Sequence, residues 1–280
     1  MKVAVIGGGT MGNGIAHVFA QCGHDVTLID VSADALQRAL STIDKNLDRL
    51  VKKEKISAQD KADTLGRIAT SDTLDAAADA ALAVEAVFES FEVKRGILEK
   101  LDRVCKPDAI LASNTSSISI TKLAACTRCP EKVIGMHFMN PVPIMKLVEV
   151  ISGQATDPAV LEQVMQISRD LGKVPVAVAD YPGFIANRVL MPMINEAVTC
   201  LMEGVADRNA IDTVMKLGMA HPMGPLTLAD FIGLDICLDI MEVLYEGFAD
   251  SKYRPCPLLR RMVDAGHLGR KSGKGFYDYE

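Results

Sequence analysis

A short apolar segment that runs straight into a glycine turn constrains the fold of this chain more than any other feature. Residues 3–6 are entirely apolar, as expected of a strand buried on both faces of a parallel sheet. The turn Gly-Gly-Gly-Thr-Met-Gly at 7–12 follows at once, then a helical apolar pattern, then a second apolar run that stops at Asp30. Strand, helix and strand in this order predict a complete βαβ unit.

The spacing of the glycines indicates what this unit binds. Gly7 allows a tight turn, Gly9 lets the backbone approach a pyrophosphate, and Gly12 lets helix and strand pack closely. The helix N-terminus then stabilises the anion. Asp30, 18 residues after the last glycine, can accept hydrogen bonds from an adenosine ribose and would repel a 2′-phosphate. A glycine turn without a ligand is the alternative, but the context favours a dinucleotide, NAD rather than NADP. The residues expected to contact it are Gly7, Gly9, Thr10, Met11, Gly12 and Asp30.

Two further patterns complete a sheet. Residues 33–66 look helical but are too long and polar for one helix, and a break at 54–57 indicates a helical hairpin inserted into the sheet topology. Apolar runs, most of them separated by helical stretches, then recur at 82–84, 109–112, 133–136, 147–150 and 174–178. This alternation favours an α/β fold with a doubly wound sheet. Asn140-Pro141-Val142-Pro143 predicts a bend or hairpin between two of the strands.

The character of the chain changes at Tyr181-Pro182-Gly183, a strong breaker of regular structure. Beyond it no convincing strand is found, whereas residues 185–202 and 226–248 carry helical apolar patterns. We therefore predict two domains, residues 1–182 with the sheet and residues 183–280 as a small all-helical domain. Its two apolar segments exceed what one small helical layer can bury, which predicts a homodimer.

Composition limits the function. Apolar residues make up 49% of the 280 and charged residues 24%, which excludes disorder and collagen. No apolar run reaches the ~18 residues of a membrane span, and a net charge of −6 argues against a nucleic-acid partner. The chain starts without signal-peptide architecture, and its seven irregularly spaced cysteines do not indicate a disulfide framework. We expect a soluble cytoplasmic protein without a membrane partner.

Polar side chains follow three of the predicted strands at the edge where open α/β sheets bind their ligands. They are Glu89, the Ser113-Asn114-Thr115-Ser116-Ser117 loop and His137. A cofactor that takes hydride needs a base for the alcohol proton, and of the five histidines only His137 stands at such a strand end. Glu149, across the predicted bend, could hold its ring in one tautomer. A satisfied core histidine and a serine-rich helix cap are the alternatives.

Two other patterns have both a functional and a plain structural interpretation. Cys126-Thr127-Arg128-Cys129 has the CxxC spacing, but no second pair or histidine set accompanies it. We interpret it as a surface loop and predict no metal site. Arg49, Lys52, Lys53 and Lys55 form a basic cluster on the inserted hairpin, which is either a solvated face or a site for a polyanion such as a nucleotide phosphate.

Six motifs together resemble one enzyme family. They are Gly-Gly-Gly-Thr-Met-Gly at 7–12, Ala-Ser-Asn-Thr-Ser-Ser at 112–117, Gly-Met-His-Phe-Met-Asn-Pro-Val-Pro at 135–143, Met-Lys-Leu-Val-Glu-Val at 145–150, Pro-Gly-Phe-Ile-Ala-Asn-Arg at 182–188 and His-Pro-Met-Gly-Pro at 221–225. Over essentially its whole length the chain resembles the short-chain L-3-hydroxyacyl-CoA dehydrogenases, closest to bacterial members that act on 3-hydroxybutyryl-CoA.

The resemblance implies an NAD-binding Rossmann domain followed by a helical substrate domain that forms a homodimer. By motif position it implies a catalytic pair, His137 and Glu149, with Ser116 and Asn187 as active-site polar groups. The inserted hairpin would bind coenzyme A, with Lys53 at the family's matching basic position. Implied contacts on the nicotinamide side of NAD come from Glu89, Lys94, Asn114, Ser116 and Lys271.

The implied activity is the NAD-dependent oxidation of (S)-3-hydroxybutyryl-CoA to acetoacetyl-CoA, and the reverse reduction. The same scaffold acting on another 3-hydroxyacyl-CoA, such as 3-hydroxyadipyl-CoA, is one alternative. A non-catalytic dinucleotide-binding or structural relative is another, which the intact set of catalytic residues disfavours.

Overall fold

The chain folds into two compact units. The structure, a computed structural model, describes residues 1–279. The units are Met1–Tyr181 and Pro182–Glu280. The division falls inside the Tyr181-Pro182-Gly183 segment, where Gly183 has a φ of 72°, a conformation that favours glycine. None of the helices within residues 1–279 has the length and apolar character needed to cross a membrane.

The first unit is built on one eight-stranded sheet. Its strands are β1 (Lys2–Ile6), β2 (Asp25–Ile29), β3 (Ile68–Ser71), β4 (Leu82–Glu85), β5 (Ile110–Ser113), β6 (Val133–Phe138), β7 (Leu147–Ser152) and β8 (Val174–Ala179). They lie in the order β3-β2-β1-β4-β5-β6-β7-β8, and neighbouring strands are parallel except for the antiparallel pair β6 and β7. The predicted doubly wound α/β sheet is confirmed, and the β6–β7 pair is the predicted hairpin.

Six helices accompany this sheet. They are α1 (Thr10–Gln21), α2 (Ala33–Lys52), α3 (Ala58–Gly66), α4 (Phe91–Val104), α5 (Ile120–Ala124) and α6 (Pro158–Asp170). The central strands β4, β5 and β6 are buried at every residue, and β1 is buried at all but its first. Their side chains are therefore covered on both faces of the sheet, as their continuous apolar runs predict.

The predicted inserted hairpin is formed by α2 and α3. Ser57 begins α3 with a reciprocal cap, in which Ser57 Oγ accepts from the Asp60 N–H at 3.0 Å and Asp60 Oδ2 accepts from the Ser57 N–H at 2.8 Å. Lys61 of α3 forms ion pairs with Asp44 and Asp48 of α2 at 2.7 and 2.5 Å. Both helices contact α1, so the hairpin is anchored to the helix that follows the glycine turn.

One strand, β3, is not predicted by the search for apolar runs. β3 has only four residues, two of them exposed, and it pairs with β2 alone at the edge of the sheet. An edge strand of this kind does not need a continuous apolar run, because only part of it is covered. The rule that finds the buried strands therefore does not find this one.

The second unit is helical. Its helices are α7 (Ala186–Met202), α8 (Arg208–Gly218), α9 (Pro225–Ile232), α10 (Leu234–Phe248) and α11 (Pro257–Asp264). The helical pattern at 226–248 is two helices rather than one, because Gly233 has a φ of 109° and separates α9 from α10. The apolar pattern continues across the break because both helices face the same core. In the described part of this unit, β structure is limited to the isolated bridges Gly269–Lys274 and Lys274–Asp278.

A buried histidine in α1 makes the stability of the first unit depend on pH. His17 is 1% exposed, and burial lowers its pKa from 6.5 to about 4. Between these values the unfolded chain binds a proton at His17 that the folded chain does not bind, so stability falls as the pH is lowered. The whole shift corresponds to about 3 kcal/mol. We expect His17→Leu to remove this part of the acid sensitivity.

Denaturant unfolding of the parent and of His17→Leu, measured between about pH 7 and pH 4, checks this expectation. The free energy of unfolding of the parent should fall more steeply towards acid than that of the variant. If the free energy of unfolding fell equally with pH in both proteins, His17 would have the same pKa in the folded and unfolded chain. That result would contradict the expectation.

Candidate active site

The glycine turn between β1 and α1 brings backbone groups closer than a side chain would allow. Gly7 has a φ of 109°, and its N–H donates to the Ile29 carbonyl at 2.7 Å. A Cβ on Gly12 would lie 1.7 Å from the Gly7 oxygen, so α1 can start against β1 only with glycine there. A Cβ on Gly9 would meet no atom within 4 Å. Gly12 therefore serves close packing, whereas Gly9 leaves open space for a ligand.

A cavity of about 910 Å³ lies beside this turn, at the carboxyl ends of β1 and β2. It is lined by five of the residues that the sequence assigns to a dinucleotide: Gly7, Gly9, Thr10, Met11 and Asp30. No side chain caps α1, so the N–H groups of its first turn can bind an anion. The open approach at Gly9, the uncapped helix and the cavity fit an adenosine and a pyrophosphate.

Asp30 follows β2 and is fixed by the backbone around it. Its carboxylate accepts from the Gly8 N–H at 2.6 Å and from the Ser32 N–H at 2.9 Å. Ser32 is the N-cap residue of α2, so Asp30 joins the glycine turn to the start of the inserted hairpin. A carboxylate held at this side of the cavity can accept hydrogen bonds from ribose hydroxyls and repels a phosphate.

A buried carboxylate that the sequence analysis missed, Glu85, organises the next part of this edge. Glu85 ends β4 at 0% exposure, and its oxygens accept from Lys94 Nζ at 2.7 Å and from Ser113 Oγ at 2.6 Å. Lys94 is also buried and lies 3.2 Å from Glu89 Oε2. The Lys94 ammonium is thus held between two carboxylates. The sequence signal that could have identified Glu85 is an acidic residue inside the otherwise apolar run 82–87.

Glu89 in turn holds the serine-rich loop. Its Oε1 accepts from Thr115 Oγ1 at 2.5 Å and from the Ser116 and Ser117 N–H groups at 2.9 and 3.2 Å. Burial opposes its ionisation, but Lys94 and these hydrogen bonds outweigh burial and lower the pKa of Glu89 below its ordinary 4.5. Ser116 Oγ lies 3.3 Å from the same carboxylate oxygen. The structure therefore brings Glu89, Lys94 and Ser116 together in one network.

Asn114 connects this loop to the neighbouring strand. Its backbone N–H donates to the Glu85 carbonyl at 2.7 Å, and its side-chain Oδ1 accepts from the Phe138 N–H at 2.9 Å. Phe138 is the residue after His137. Asn114 therefore fixes the loop relative to the end of β6.

His137 and Glu149 face each other across the antiparallel β6–β7 pair. They are direct register partners, and His137 Nδ1 lies 2.8 Å from Glu149 Oε2. Both are buried, at 8% and 2% exposure. When the Nδ1–H donates to Glu149, Nε2 keeps its lone pair for a proton. A histidine and a carboxylate in this arrangement can act as a general acid–base pair.

The other histidines lie elsewhere. His17 is buried in α1, His24 Nδ1 is 3.2 Å from the amino terminus, and His221 and His267 belong to the second unit. Within residues 1–279, His137 alone has a carboxylate oxygen within 4.0 Å of a ring nitrogen. The pairing thus singles out the histidine that the strand-end rule selects.

Two predicted site residues belong to the second unit. Asn187 is near the start of α7, is 9% exposed, and donates its backbone N–H to the Gly183 carbonyl at 3.1 Å. Lys271 lies in the 3-10 turn Arg270–Ser272, with Nζ 2.5 Å from Asp235 Oδ2. Their roles towards substrate and NAD stay predictions.

The basic cluster lies on the surface of the hairpin. Lys53 follows the last turn of α2 and is exposed, as are Arg49, Lys52 and Lys55. Four exposed cations within seven positions make this part of the hairpin positive. The arrangement suits an anionic ligand but does not by itself demand one.

The CxxC segment has no metal-site geometry. All seven cysteines are free thiols, and Cys126 Sγ donates to the Lys122 carbonyl at 3.3 Å. In the described part of the chain, no group of three or more His, Cys, Asp or Glu side chains is placed to hold a metal ion. The structure gives Cys126 and Cys129 no assigned role.

Both units match models of one protein family. Residues 2–181 match the NAD-binding domain of 3-hydroxyacyl-CoA dehydrogenase, and residues 183–279 match the C-terminal domain of the same enzyme. The chain belongs to the 3-hydroxyacyl-CoA dehydrogenase family. It is thus an NAD-dependent oxidoreductase, and the family and cofactor predicted from the sequence motifs are confirmed.

Individual members of the 3-hydroxyacyl-CoA dehydrogenase family resemble the whole chain. A 3-hydroxybutyryl-CoA dehydrogenase of Bradyrhizobium diazoefficiens is 58% identical over 99% of this chain and 95% of its own length. The crystal structure of (S)-3-hydroxybutyryl-CoA dehydrogenase PaaH1 from Ralstonia eutropha has a TM-score of 0.98 at 50% identity, covering 100% of this chain and 99% of its own. A 3-hydroxyadipyl-CoA dehydrogenase of Escherichia coli is 44% identical over 99% of this chain and 58% of its own length.

Proposed function

We propose that this dehydrogenase interconverts (S)-3-hydroxybutyryl-CoA and acetoacetyl-CoA with NAD. The observation that carries the proposal is the buried pair of His137 and Glu149, in contact at 2.8 Å. It lies at the carboxyl end of β6, the sheet edge that also holds the dinucleotide cavity. The acyl group is suggested by the two relatives named as 3-hydroxybutyryl-CoA dehydrogenases, at 58% and 50% identity.

In this mechanism the pair moves the proton of the substrate hydroxyl. Bound NAD supplies the acceptor for the hydride that leaves C3. His137 Nε2 takes the hydroxyl proton as the C3–H bond breaks and the C3–O bond becomes a carbonyl. Glu149, at 2.8 Å from Nδ1, stabilises the imidazolium that results. In the reduction, the imidazolium returns the proton to the carbonyl oxygen.

Two further groups position the substrate in this proposal. The Ser116 hydroxyl and the Asn187 amide are proposed to orient the oxygens of the substrate. Glu89 already holds the loop that carries Ser116 before the substrate binds. Substrate binding therefore needs to order this loop only a little further. The proposed contacts on the nicotinamide side of NAD are Glu89, Lys94, Asn114, Ser116 and Lys271.

The basic surface of the hairpin is proposed to bind the phosphates of coenzyme A. Lys53→Ala should raise KM for the acyl-CoA by about tenfold, the value of one lost charged contact of about 1.4 kcal/mol. Its kcat should stay nearly unchanged, because the contact is present in ground and transition states alike. Steady-state kinetics with acetoacetyl-CoA measures both constants.

A truncated pantetheine thioester provides the control, since it lacks the phosphates. Lys53→Ala should leave its KM unchanged, and the effect on the full thioester should shrink in high salt. The matched variant Lys216→Ala, an exposed lysine of the second unit, should behave as the parent. Equal effects of Lys53→Ala on both thioesters would contradict the assignment.

The second unit is proposed to form a homodimer. An apolar groove of about 430 Å³ is lined by Met193, Val205 and Val214 among others. Val205, Val214 and Leu217 are 69%, 59% and 80% exposed. An apolar surface of this kind marks an interface in soluble proteins. A second copy of the chain is the proposed occupant.

Sedimentation at micromolar concentration tests the dimer. The parent should sediment as a dimer, and Val214→Glu, which places a charge in the groove, should shift it to a monomer. Val174→Glu, the same change at an exposed valine of the first unit, should leave the dimer intact. A monomeric parent would refute the proposal.

Seven free thiols also support a reducing compartment, and we propose the cytoplasm. Fractionation of the source cells tests this placement. Recovery of the protein from an oxidising compartment, with its cysteines paired, would contradict it.

A second substrate is supported by the 44% identical relative named 3-hydroxyadipyl-CoA dehydrogenase. NADH oxidation with acetoacetyl-CoA, 3-oxohexanoyl-CoA and 3-oxoadipyl-CoA separates the two candidates. The proposed function predicts the highest kcat/KM for acetoacetyl-CoA. A higher kcat/KM for 3-oxoadipyl-CoA would make the adipyl thioester the substrate instead. If NADH were not oxidised with any of the three thioesters, the proposed activity would be refuted.

A further inference from the structure

Lys173 is a buried cation without a carboxylate partner. It lies between α6 and β8 and is 8% exposed. Within residues 1–279 its ammonium has no ion pair, and Nζ instead donates to the carbonyls of Val142 and Met145 at 2.5 and 2.8 Å. Burial lowers the pKa of Lys173, which reflects the loss of water around its charge. A buried charge is costly unless it is well hydrogen-bonded. The burial of Lys173 therefore depends on these two carbonyl contacts.

The two carbonyls belong to the turn that joins the catalytic strands. Residues 139–146 connect β6, which carries His137, to β7, which carries Glu149. Inside the turn, the Ile144 and Met145 N–H groups donate to the Pro141 carbonyl at 3.0 and 2.9 Å. Lys173 binds two of the carbonyls that these internal bonds leave without a partner, and the neighbouring Val174 N–H donates to a third, that of Lys146, at 2.8 Å. Lys173 therefore contributes two side-chain hydrogen bonds that hold the turn from outside.

The same turn contacts the dinucleotide-binding helix. Val142 is 2% exposed, and a Cβ on Gly14 of α1 would lie 2.8 Å from Val142 Cβ. The turn is thus packed between α1 and Lys173. A shift of the turn would disturb the strand pair on one side and the contact with α1 on the other.

We propose that Lys173 is a positioning residue for proton transfer, which fixes the β6–β7 turn and so holds His137 against Glu149. The inference rests on the proposed function, since it concerns the same catalytic pair. The register of an antiparallel pair is set by its turn, and the 2.8 Å contact depends on that register. Two donors are needed at this position, because an apolar side chain would leave both carbonyls unpaired.

Lys173→Met tests the proposal, since methionine fills similar space without a donor. Single-turnover oxidation of 3-deuterated (S)-3-hydroxybutyryl-CoA should slow by about tenfold or more, as expected when a general base is misplaced. The deuterium isotope effect on kcat should rise, because the chemical step becomes rate-limiting. KM and the Kd for NADH should stay within about twofold of the parent, as for a loss confined to the transition state.

Two companion variants separate positioning from general stability. Lys173→Arg keeps the cation and its donors and should recover most of the rate. Lys146→Met makes the same change at an exposed lysine of the same turn and should behave as the parent. If the role of Lys173 were only structural, Lys173→Met would lower the fraction of molecules that bind NADH. The rate per binding site and the isotope effect would then be unchanged.

Each outcome decides the proposal. A folded Lys173→Met protein with the parent's single-turnover rate overturns it. If that variant does not fold, Lys173→Gln takes its place, because its uncharged side chain is one atom shorter and cannot repeat both carbonyl contacts: a slowed chemical step supports positioning, and the parent's rate overturns it. A parent without activity on any hydroxyacyl-CoA would instead refute the proposed function, a result that the same assay shows separately.

Discussion

Replacing His137 by glutamine is expected to lower kcat by about 10²–10⁴-fold, the usual contribution of a general acid–base group. Glutamine is polar and of similar size, but it cannot take the hydroxyl proton through a ring nitrogen held by Glu149. NADH binding should survive, because the glycine turn and its cavity lie at β1 and β2 rather than at β6. Stopped-flow turnover and NADH fluorescence titration measure the two quantities.

Two related variants define the role of the pair. Glu149→Gln should lower kcat by a smaller factor, because an amide still accepts the Nδ1–H but does not stabilise the imidazolium. His221→Gln, in the second unit, should leave the chemical step intact. Near-normal turnover in the His137 variant, together with its loss in the His221 variant, would move the catalytic base to the second unit.

Gly12→Ala is expected to weaken NADH binding, with a rise in Kd of about 100-fold or more, equal to about 2.7 kcal/mol. The added methyl would lie 1.7 Å from the Gly7 carbonyl oxygen, and backbone on both sides prevents a local adjustment. The start of α1 must therefore move away from β1 and the cavity must change shape. Thermal unfolding should show a lower Tm, since the overlap also strains the fold.

Gly9→Ala is the matched control at the same turn. Its methyl would meet no protein atom within 4 Å, and the φ of −71° at Gly9 suits alanine. Its Tm should stay close to that of the parent, whereas NADH binding should weaken because the methyl occupies the approach of the pyrophosphate. Full NADH affinity and an unchanged Tm in Gly12→Ala would contradict the packing argument.

The parts of the fold that follow from local rules could be predicted from the sequence. The first βαβ unit, the inserted hairpin and the sheet class follow from apolar periodicity, glycine spacing and the break at 54–57. The break at Gly233 could not be predicted, because the apolar pattern of α9 and α10 runs through it towards one shared core. Only its φ of 109° separates the two helices. β3 has too little buried surface to leave an apolar run.

The candidate site shows the same division. His137 could be selected because strand ends form the ligand edge of an open sheet. Its distance from Glu149 depends on the β6–β7 register, which the sequence does not state. The burial of Glu85 and Lys173 could not be predicted for a different reason. Both are buried ions that bind partners distant in the chain, Ser113 and Val142. Charged residues inside are rare enough that composition rules place them at the surface.

The most direct test of the central claim follows the hydrogen at C3. The protein is incubated with NAD⁺ and (S)-3-hydroxybutyryl-CoA that carries deuterium at C3, and the reduced cofactor is analysed by mass spectrometry. We predict one deuterium in each NADH formed, acetoacetyl-CoA in equal amount, no reaction with the R enantiomer, and a rate about 10²–10⁴-fold lower with the His137→Gln variant. NADH without deuterium, or equal rates for the two enantiomers, would contradict hydride transfer from C3 guided by His137 and Glu149.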